Sequence, residues 1–195
     1  MEFLYSIDKA VFLFFNAYLT HPALDILMPL FTKFSTWAVP GVLIAAVFVM
    51  REKKKALVVL GLVALTAGLS SLISDEVIKK LAARPRPCHP EFFVEGARFL
   101  LGTRTSFSFP SAHSMNMFSV AALLFCFYPR RWMYFFPFAA MIAYTRVYCG
   151  VHYPSDVLAG AVFGCLIGWG VYAGYRAACQ KIRRRDHAGR HPVPN

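Results

Sequence analysis

Apolar residues along this chain come in long blocks separated by short charged punctuation, rather than in the narrow stripes of a water-soluble helical domain. Five blocks reach or approach the roughly 20 residues that a helix needs to cross a bilayer core: Phe31 to Met50, Ala56 to Ser74, Ser111 to Tyr128, Trp132 to Cys149 and Val157 to Ala178. Each predicts a transmembrane helix. Lys33 falls close enough to one end of the first to snorkel to the interface. The opening residues, Met1 to Met28, behave differently. AVFLFFNAYL is apolar but short, follows Asp8 and Lys9, and is closed by His21 and Pro22, so an interfacial amphipathic helix is expected there, with a sixth span as the alternative. A cleaved signal peptide is not expected, because no basic n-region or small-residue cleavage site accompanies this run. The expected fold class is all-α: a polytopic membrane bundle of five to six transmembrane helices with an amphipathic N-terminal helix. Residues 1 to 178 form one domain in this reading, and 179 to 195 a basic tail.

Composition agrees with a membrane protein. The 195 residues are 57% hydrophobic with a mean hydropathy of +0.49, too apolar for a soluble domain of this length. A net charge of +11 would admit nucleic acid as a partner, but the basic residues punctuate apolar runs instead of forming an arm or a reading face. Membrane lipids are therefore expected as partners, and nucleic acid is not. Five cysteines, Cys88, Cys126, Cys149, Cys165 and Cys179, have no CxxC spacing and indicate no metal site.

Short basic loops set the orientation. REKKK (Arg51 to Lys55), PRR (Pro129 to Arg131) and QKIRRR (Gln180 to Arg185) all fall on one side of the spans, which marks that side, and the tail, as cytoplasmic. The segment Lys79 to Pro110 and the stretch TRVYCGVHYPSD (Thr145 to Asp156) then meet at the outer face. That outer segment is itself basic, with Lys79, Lys80, Arg84, Arg86, Arg98 and Arg104, and these cations have a competing reason to be there, an anionic ligand. Gly160, Gly164 and Gly168 in the last span predict a helix that approaches a neighbour closely.

Three polar clusters carry candidate chemistry. KKLAARPRP (Lys79 to Pro87) continues the second helix outward until Pro85 and Pro87 impose an extended chain. SFSFPSAHS (Ser106 to Ser114) opens the third span with Ser111 at or near the N-cap, so that free N–H groups and the positive end of the helix dipole face outward beside His113. In the third cluster Arg146 ends one span, and Asp156 follows His152 by four residues, on one face if the fifth helix has begun. A carboxylate on one imidazole nitrogen fixes the tautomer and leaves the other nitrogen free to act as nucleophile or base. Singly, each cluster also suits a snorkelling helix end, an ordinary cap or an interfacial ion pair. Together, Lys79, Arg86, Arg146 and the Ser111 helix end can neutralise a phosphate dianion, with His152 placed to attack phosphorus and His113 to protonate the leaving oxygen. No acidic cluster suited to Mg²⁺ or Zn²⁺ accompanies them, so no cofactor or metal is expected.

These residues resemble a known set. Lys79-x6-Arg86-Pro87, Pro110-Ser111-Ala112-His113 and Thr145-Arg146-x5-His152-x3-Asp156 are similar to the three signature motifs of the type 2 phosphatidic acid phosphatase (PAP2) superfamily, KxxxxxxRP, PSGH and SRxxxxxHxxxD. The resemblance implies phosphate binding by Lys79, Arg86, Ser111 and Arg146, a general acid at His113, a nucleophile forming phosphohistidine at His152 and an orienting carboxylate at Asp156. Ala112 stands where the family usually has glycine, and Thr145 where it has serine; neither change removes a reacting group.

The function expected is a phosphatase acting at the outer face of the cytoplasmic membrane on a lipid phosphate or diphosphate. Undecaprenyl diphosphate is placed first; phosphatidic acid, phosphatidylglycerophosphate and lipid A 1-phosphate are the alternatives. A non-catalytic lipid-binding or transport protein is a competing class, against which the intact His113, His152 and Asp156 argue. A vanadate-dependent haloperoxidase, of the same site architecture, is disfavoured by the five apolar spans.

Overall fold

The apolar blocks fold as helices whose ends fall at the charged punctuation. The computed structural model describes residues 2 to 188, and all regular structure among them is helical. In chain order the helices are α1 (Glu2–Leu13), α2 (Pro22–Phe31), α3 (Phe34–Glu52), α4 (Lys54–Leu72), α5 (Lys79–Ala82), α6 (Ala112–Phe127), α7 (Trp132–Tyr148) and α8 (Pro154–Ala188). A π-helical turn, Phe14–Tyr18, extends α1, and another, Ile73–Ile78, joins α4 to α5, so that Lys54–Ala82 is one continuous rod.

The expected spans are recovered as helices, though not all at spanning length. Phe34–Glu52, Lys54–Ala82 and Pro154–Arg185 are long and apolar enough to cross a membrane. With 16 and 17 residues, α6 and α7 are shorter. The difference has a packing cause: α6 is surrounded by α4, α7 and α8, so protein rather than lipid covers much of it. By contrast α3 has no buried residue, and Val42 and Ile44 on it are 69% and 70% exposed. Such a surface is tolerable only against lipid tails.

The N-terminal segment is two helices rather than one. The rods Phe3–Tyr18 and Pro22–Phe31 meet at a bend of 114°, where His21 caps α2 by accepting the Ala23 N–H at its Nδ1 (3.2 Å). α1 is nonetheless two-faced: Phe3 and Leu4 are exposed, whereas Phe12 is wholly buried against Val94, Val147 and Tyr153. At the other end of the chain, α8 continues without a break past residue 178 to Ala188, so the first part of the basic tail is helical; residues 189 to 195 lie outside the described residues.

The glycine stripe of α8 lies on α6. A Cβ built on Gly160, Gly164 or Gly168 would stand 2.7, 2.3 or 2.2 Å from the carbonyl oxygens of Ser111, Met115 and Ser119. Only hydrogen fits there. Gly164→Ala is therefore expected to destabilise the protein by about 1–3 kcal/mol through overpacking, lowering its thermal unfolding midpoint in detergent. Gly170→Ala, where nothing lies within 4 Å, is expected to leave that midpoint unchanged.

The long connection between α5 and α6 folds over one end of this bundle. Ala83 ends α5 in the left-handed region (φ 44°) and turns the chain into the Arg84–Pro87 segment. Asn16, wholly buried, clamps the connection: its Nδ2 donates to the carbonyls of Arg98 and Tyr148 (both 2.8 Å), and its Oδ1 accepts the Arg98 N–H (2.7 Å). Gly150 (φ 82°) passes so near that a Cβ would meet the Arg98 carbonyl at 2.2 Å. Cys88 and Cys149 are buried free thiols.

Candidate active site

The ends of α5, α6, α7 and α8 converge beneath this connection. Pro85 and Pro87 flank Arg86 and fix the backbone on either side, presenting the guanidinium inward, where it is 6% exposed. Its Nε donates to the Ser106 carbonyl (3.0 Å), and its Nη1 donates to the Val151 carbonyl (2.9 Å) and to His152 Nε2 (2.8 Å). A guanidinium has no acceptor, so Nε2 must be the accepting nitrogen and the ring proton belongs on Nδ1. The geometry thus assigns the tautomer, with the Nε2 lone pair directed at the cations.

Asp156 lies on the Nδ1 side. Its Oδ2 is 3.5 Å from Nδ1, a close approach but too long for a good hydrogen bond. Both carboxylate oxygens are instead anchored elsewhere: Oδ1 accepts from Arg84 Nη1 (2.7 Å) and Oδ2 from the Tyr153 N–H (2.9 Å). The four-residue spacing does not operate through a shared helix, since α8 begins at Pro154; the turn between α7 and α8 brings the two side chains together. His152 is 2% exposed, and burial first, then the charges of Arg86, Arg146 and Lys79, hold its pKa well below the ordinary imidazole value. The ring is therefore held uncharged, and its Nε2 lone pair accepts from Arg86.

The remaining sequence candidates gather around this pair. Arg146, buried, donates from Nη1 to Thr32 Oγ1 (2.6 Å), while its Nε has no hydrogen-bond partner among the described residues. Ser111 is the N-cap of α6, and its own N–H donates to the Asp156 carbonyl (3.0 Å), tying the start of α6 to the start of α8. The first N–H groups of α6 have no partner within the helix and suit an anion. His113, in the first turn, feels the charges of Arg146, Lys79, Arg86 and Arg104. Lys79 is near enough to act on both histidines, yet its Nζ is engaged by Asp75 at 2.6 Å. That ion pair follows from an i, i+4 spacing.

Sequence reasoning missed the neighbours that hold these groups. Arg84 bridges Asp156 and Asp8, and Thr32 holds Arg146. Arg84 left a faint signal as the earlier arginine of ARPRP; Asp8 left only that of an acid in the middle of an apolar helix. Among the described residues no group of three His, Cys, Asp or Glu side chains could hold a metal ion. Chemically, the arrangement offers a neutral imidazole beside buried guanidinium groups and a helix N-terminus, which suits attack on a phosphate.

Known proteins share this arrangement of helices. Residues 55 to 178 match the PAP2 superfamily. The chain is 34% identical over 180 residues to a lipid A 4'-phosphatase of Bacteroides thetaiotaomicron, covering 88% of this chain and 78% of that protein. It is 31% identical to an undecaprenyl-diphosphatase of Sulfolobus acidocaldarius over 56% of this chain and 52% of that one. Among solved structures, a PAP2-type phosphatidylglycerolphosphate phosphatase from Bacillus subtilis is similar with a TM-score of 0.66 at 26% identity, over 91% of this chain and 88% of that one. Aquifex aeolicus LpxE is similar with a TM-score of 0.67 at 26% identity, over 83% and 92%. With a match across more than half its length and the likeness of the whole helical arrangement, the chain belongs to the PAP2 superfamily.

Proposed function

We propose that this PAP2 membrane lipid phosphatase removes a phosphate from a lipid A-type glycolipid through a phosphohistidine at His152. The observation that carries the chemistry is the Nε2 lone pair of a neutral, buried His152 held 2.8 Å from Arg86. The incoming phosphate draws the Arg86 guanidinium from Nε2, which then attacks phosphorus and forms the N–P bond as the P–O bond to the lipid breaks. His113, protonated once the phosphate dianion offsets the cations around it, gives its proton to the departing oxygen, then takes one from the water that hydrolyses the phosphoenzyme. Lys79, Arg86, Arg146 and the Ser111 end of α6 bind the phosphate oxygens, and Asp156 orients the ring.

For the lipid, the breadth of the likeness supports the order. The Bacteroides relative and a lipid A 4'-phosphatase of Porphyromonas gingivalis, 27% identical, match over 88% and 90% of this chain. Undecaprenyl diphosphate, placed first from sequence, is the second reading, supported by the shorter Sulfolobus match. The enzyme belongs in the cytoplasmic membrane in this reading, with the site on the outer face and the tail after residue 178 in the cytoplasm, a placement its short basic loops support.

The test is phosphate release by purified enzyme in detergent with excess EDTA, offered lipid A, undecaprenyl diphosphate and phosphatidic acid in parallel. Release from lipid A is expected, undiminished by the chelator. Preference for the diphosphate would select the second reading, and activity lost in EDTA and restored by Mg²⁺ would overturn the metal-free mechanism.

A further inference from the structure

The carboxylate proposed to orient His152 is itself held by a chain of contacts that reaches the first helix of the protein. Asp156 is fully buried, and a buried carboxylate is costly unless it is paired and hydrogen-bonded. Its charged partner is Arg84, whose Nη1 donates to Asp156 Oδ1 and to Ser155 Oγ, both at 2.7 Å. The other arm of the same guanidinium, Nη2, donates to Asp8 Oδ2 at 2.6 Å. Asp8 Oδ1 accepts the Ser155 N–H (2.9 Å), and the Ser155 hydroxyl donates to Asp8 Oδ2. Arg84 also lies over the Tyr153 ring, 4.1 Å from its centroid. One planar fork therefore spans two carboxylates sequence-distant from each other, and the second has a side chain only 10% exposed.

We infer that Asp8 is a positioning residue for the reaction, acting through Arg84 on Asp156 and so on the His152 ring. Asp8 touches neither His152 nor the phosphate cations. Its contribution is to fix both arms of Arg84. Without it the partly exposed guanidinium is free to swing outward, and the Asp156 carboxylate loses its charged partner. α1 thereby becomes a wall of the site rather than a peripheral anchor. Nothing in the three motifs assigns this role, and it rests on the reading of His152 as the nucleophile.

The test is a double-mutant cycle on the full-length enzyme in detergent, measuring phosphate release from lipid A. Asp8→Asn is expected to lower kcat about 10- to 100-fold, the usual range for a residue that orients a reacting one, with KM changed less than about threefold. Asp8→Glu should recover part of the loss, since it keeps the carboxylate. In an Asp156→Asn background the further loss from Asp8→Asn should shrink to less than about twofold, because the contact it supports is already gone. An unchanged kcat in Asp8→Asn, or the same fold-loss in both backgrounds, would overturn the inference. Should Asp8→Asn not fold, Arg84→Lys carries the same cycle, because a single ammonium cannot bridge two carboxylates as the fork does. His152→Ala in parallel separates the two failures: if it is inactive while Asp8→Asn is wild type, only the role of Asp8 falls, whereas an active His152→Ala removes the nucleophile reading itself.

Discussion

His152→Ala is expected to abolish turnover while leaving phosphate binding largely in place. Deleting a nucleophile removes the covalent route altogether, a loss on the order of a millionfold in comparable enzymes. Binding should survive because Arg86, Arg146 and Lys79 do not depend on the imidazole for their charge. Arg86 remains tethered through Ser106 and the Val151 carbonyl after the ring is gone. Inhibition by inorganic phosphate should accordingly stay within several-fold of the wild-type value. A rapid quench of the wild-type reaction should also trap an acid-labile phosphoenzyme that His152→Ala lacks. Turnover near wild type in this variant would assign the nucleophile elsewhere.

Asp156→Asn should be the next most damaging change, lowering kcat about 10³- to 10⁴-fold with little effect on KM. The carboxylate faces three groups that can all donate: Arg84, the Tyr153 N–H and the Nδ1 side of His152. An ionised carboxylate accepts from every one. An amide cannot, because one of its two ends is itself a donor. If the amide nitrogen faces Arg84, two donors oppose each other at a fully buried site. If it faces His152, it favours a lone pair on Nδ1 and moves the proton to Nε2, the atom that must attack. Either orientation harms the reaction before it harms phosphate binding. A change confined to KM would instead make Asp156 part of an ion pair that only joins the helices.

Helices, their order and the candidate side chains that the structure gathers at one end were legible because each is written locally. Apolar blocks ending at REKKK and PRR gave helix ends within a few residues, and Pro110-Ser111 marked the start of α6, whereas the break at Lys33 fell inside a block read as continuous. The glycine stripe was legible because its spacing repeats once per helical turn. What escaped was contact between segments far apart in the chain. Nothing in the composition around Asp8 or Thr32 announces that they hold Arg84 and Arg146, 76 and 114 residues away. The sharp bend at His21 escaped for a different reason: a capped helix start at Pro22 is readable, but the direction of the helix that follows depends on Tyr148, 123 residues from Asp25, whose hydroxyl donates to the Asp25 carboxylate. Lys79 shows a third kind of gap, since its pairing with Asp75 could be read from spacing, yet a lysine in a phosphate motif invites the assumption that it stands free.

The shortness of α6 bears on how a lipid reaches the site. Sixteen helical residues rise about 24 Å, against roughly 30 Å of hydrocarbon in a typical bilayer, whereas the neighbouring rod Lys54–Ala82 has 29 residues. Because α4, α7 and α8 cover α6, the longer elements meet the lipid and the shortfall falls inside the bundle. The start of α6, the end proposed to bind phosphate, would then lie in a recess among longer helices, below the level of the headgroups. A phosphate carried on a lipid could descend to His152 with its acyl chains still in the bilayer, so that substrate and product exchange sideways through lipid rather than by leaving the membrane.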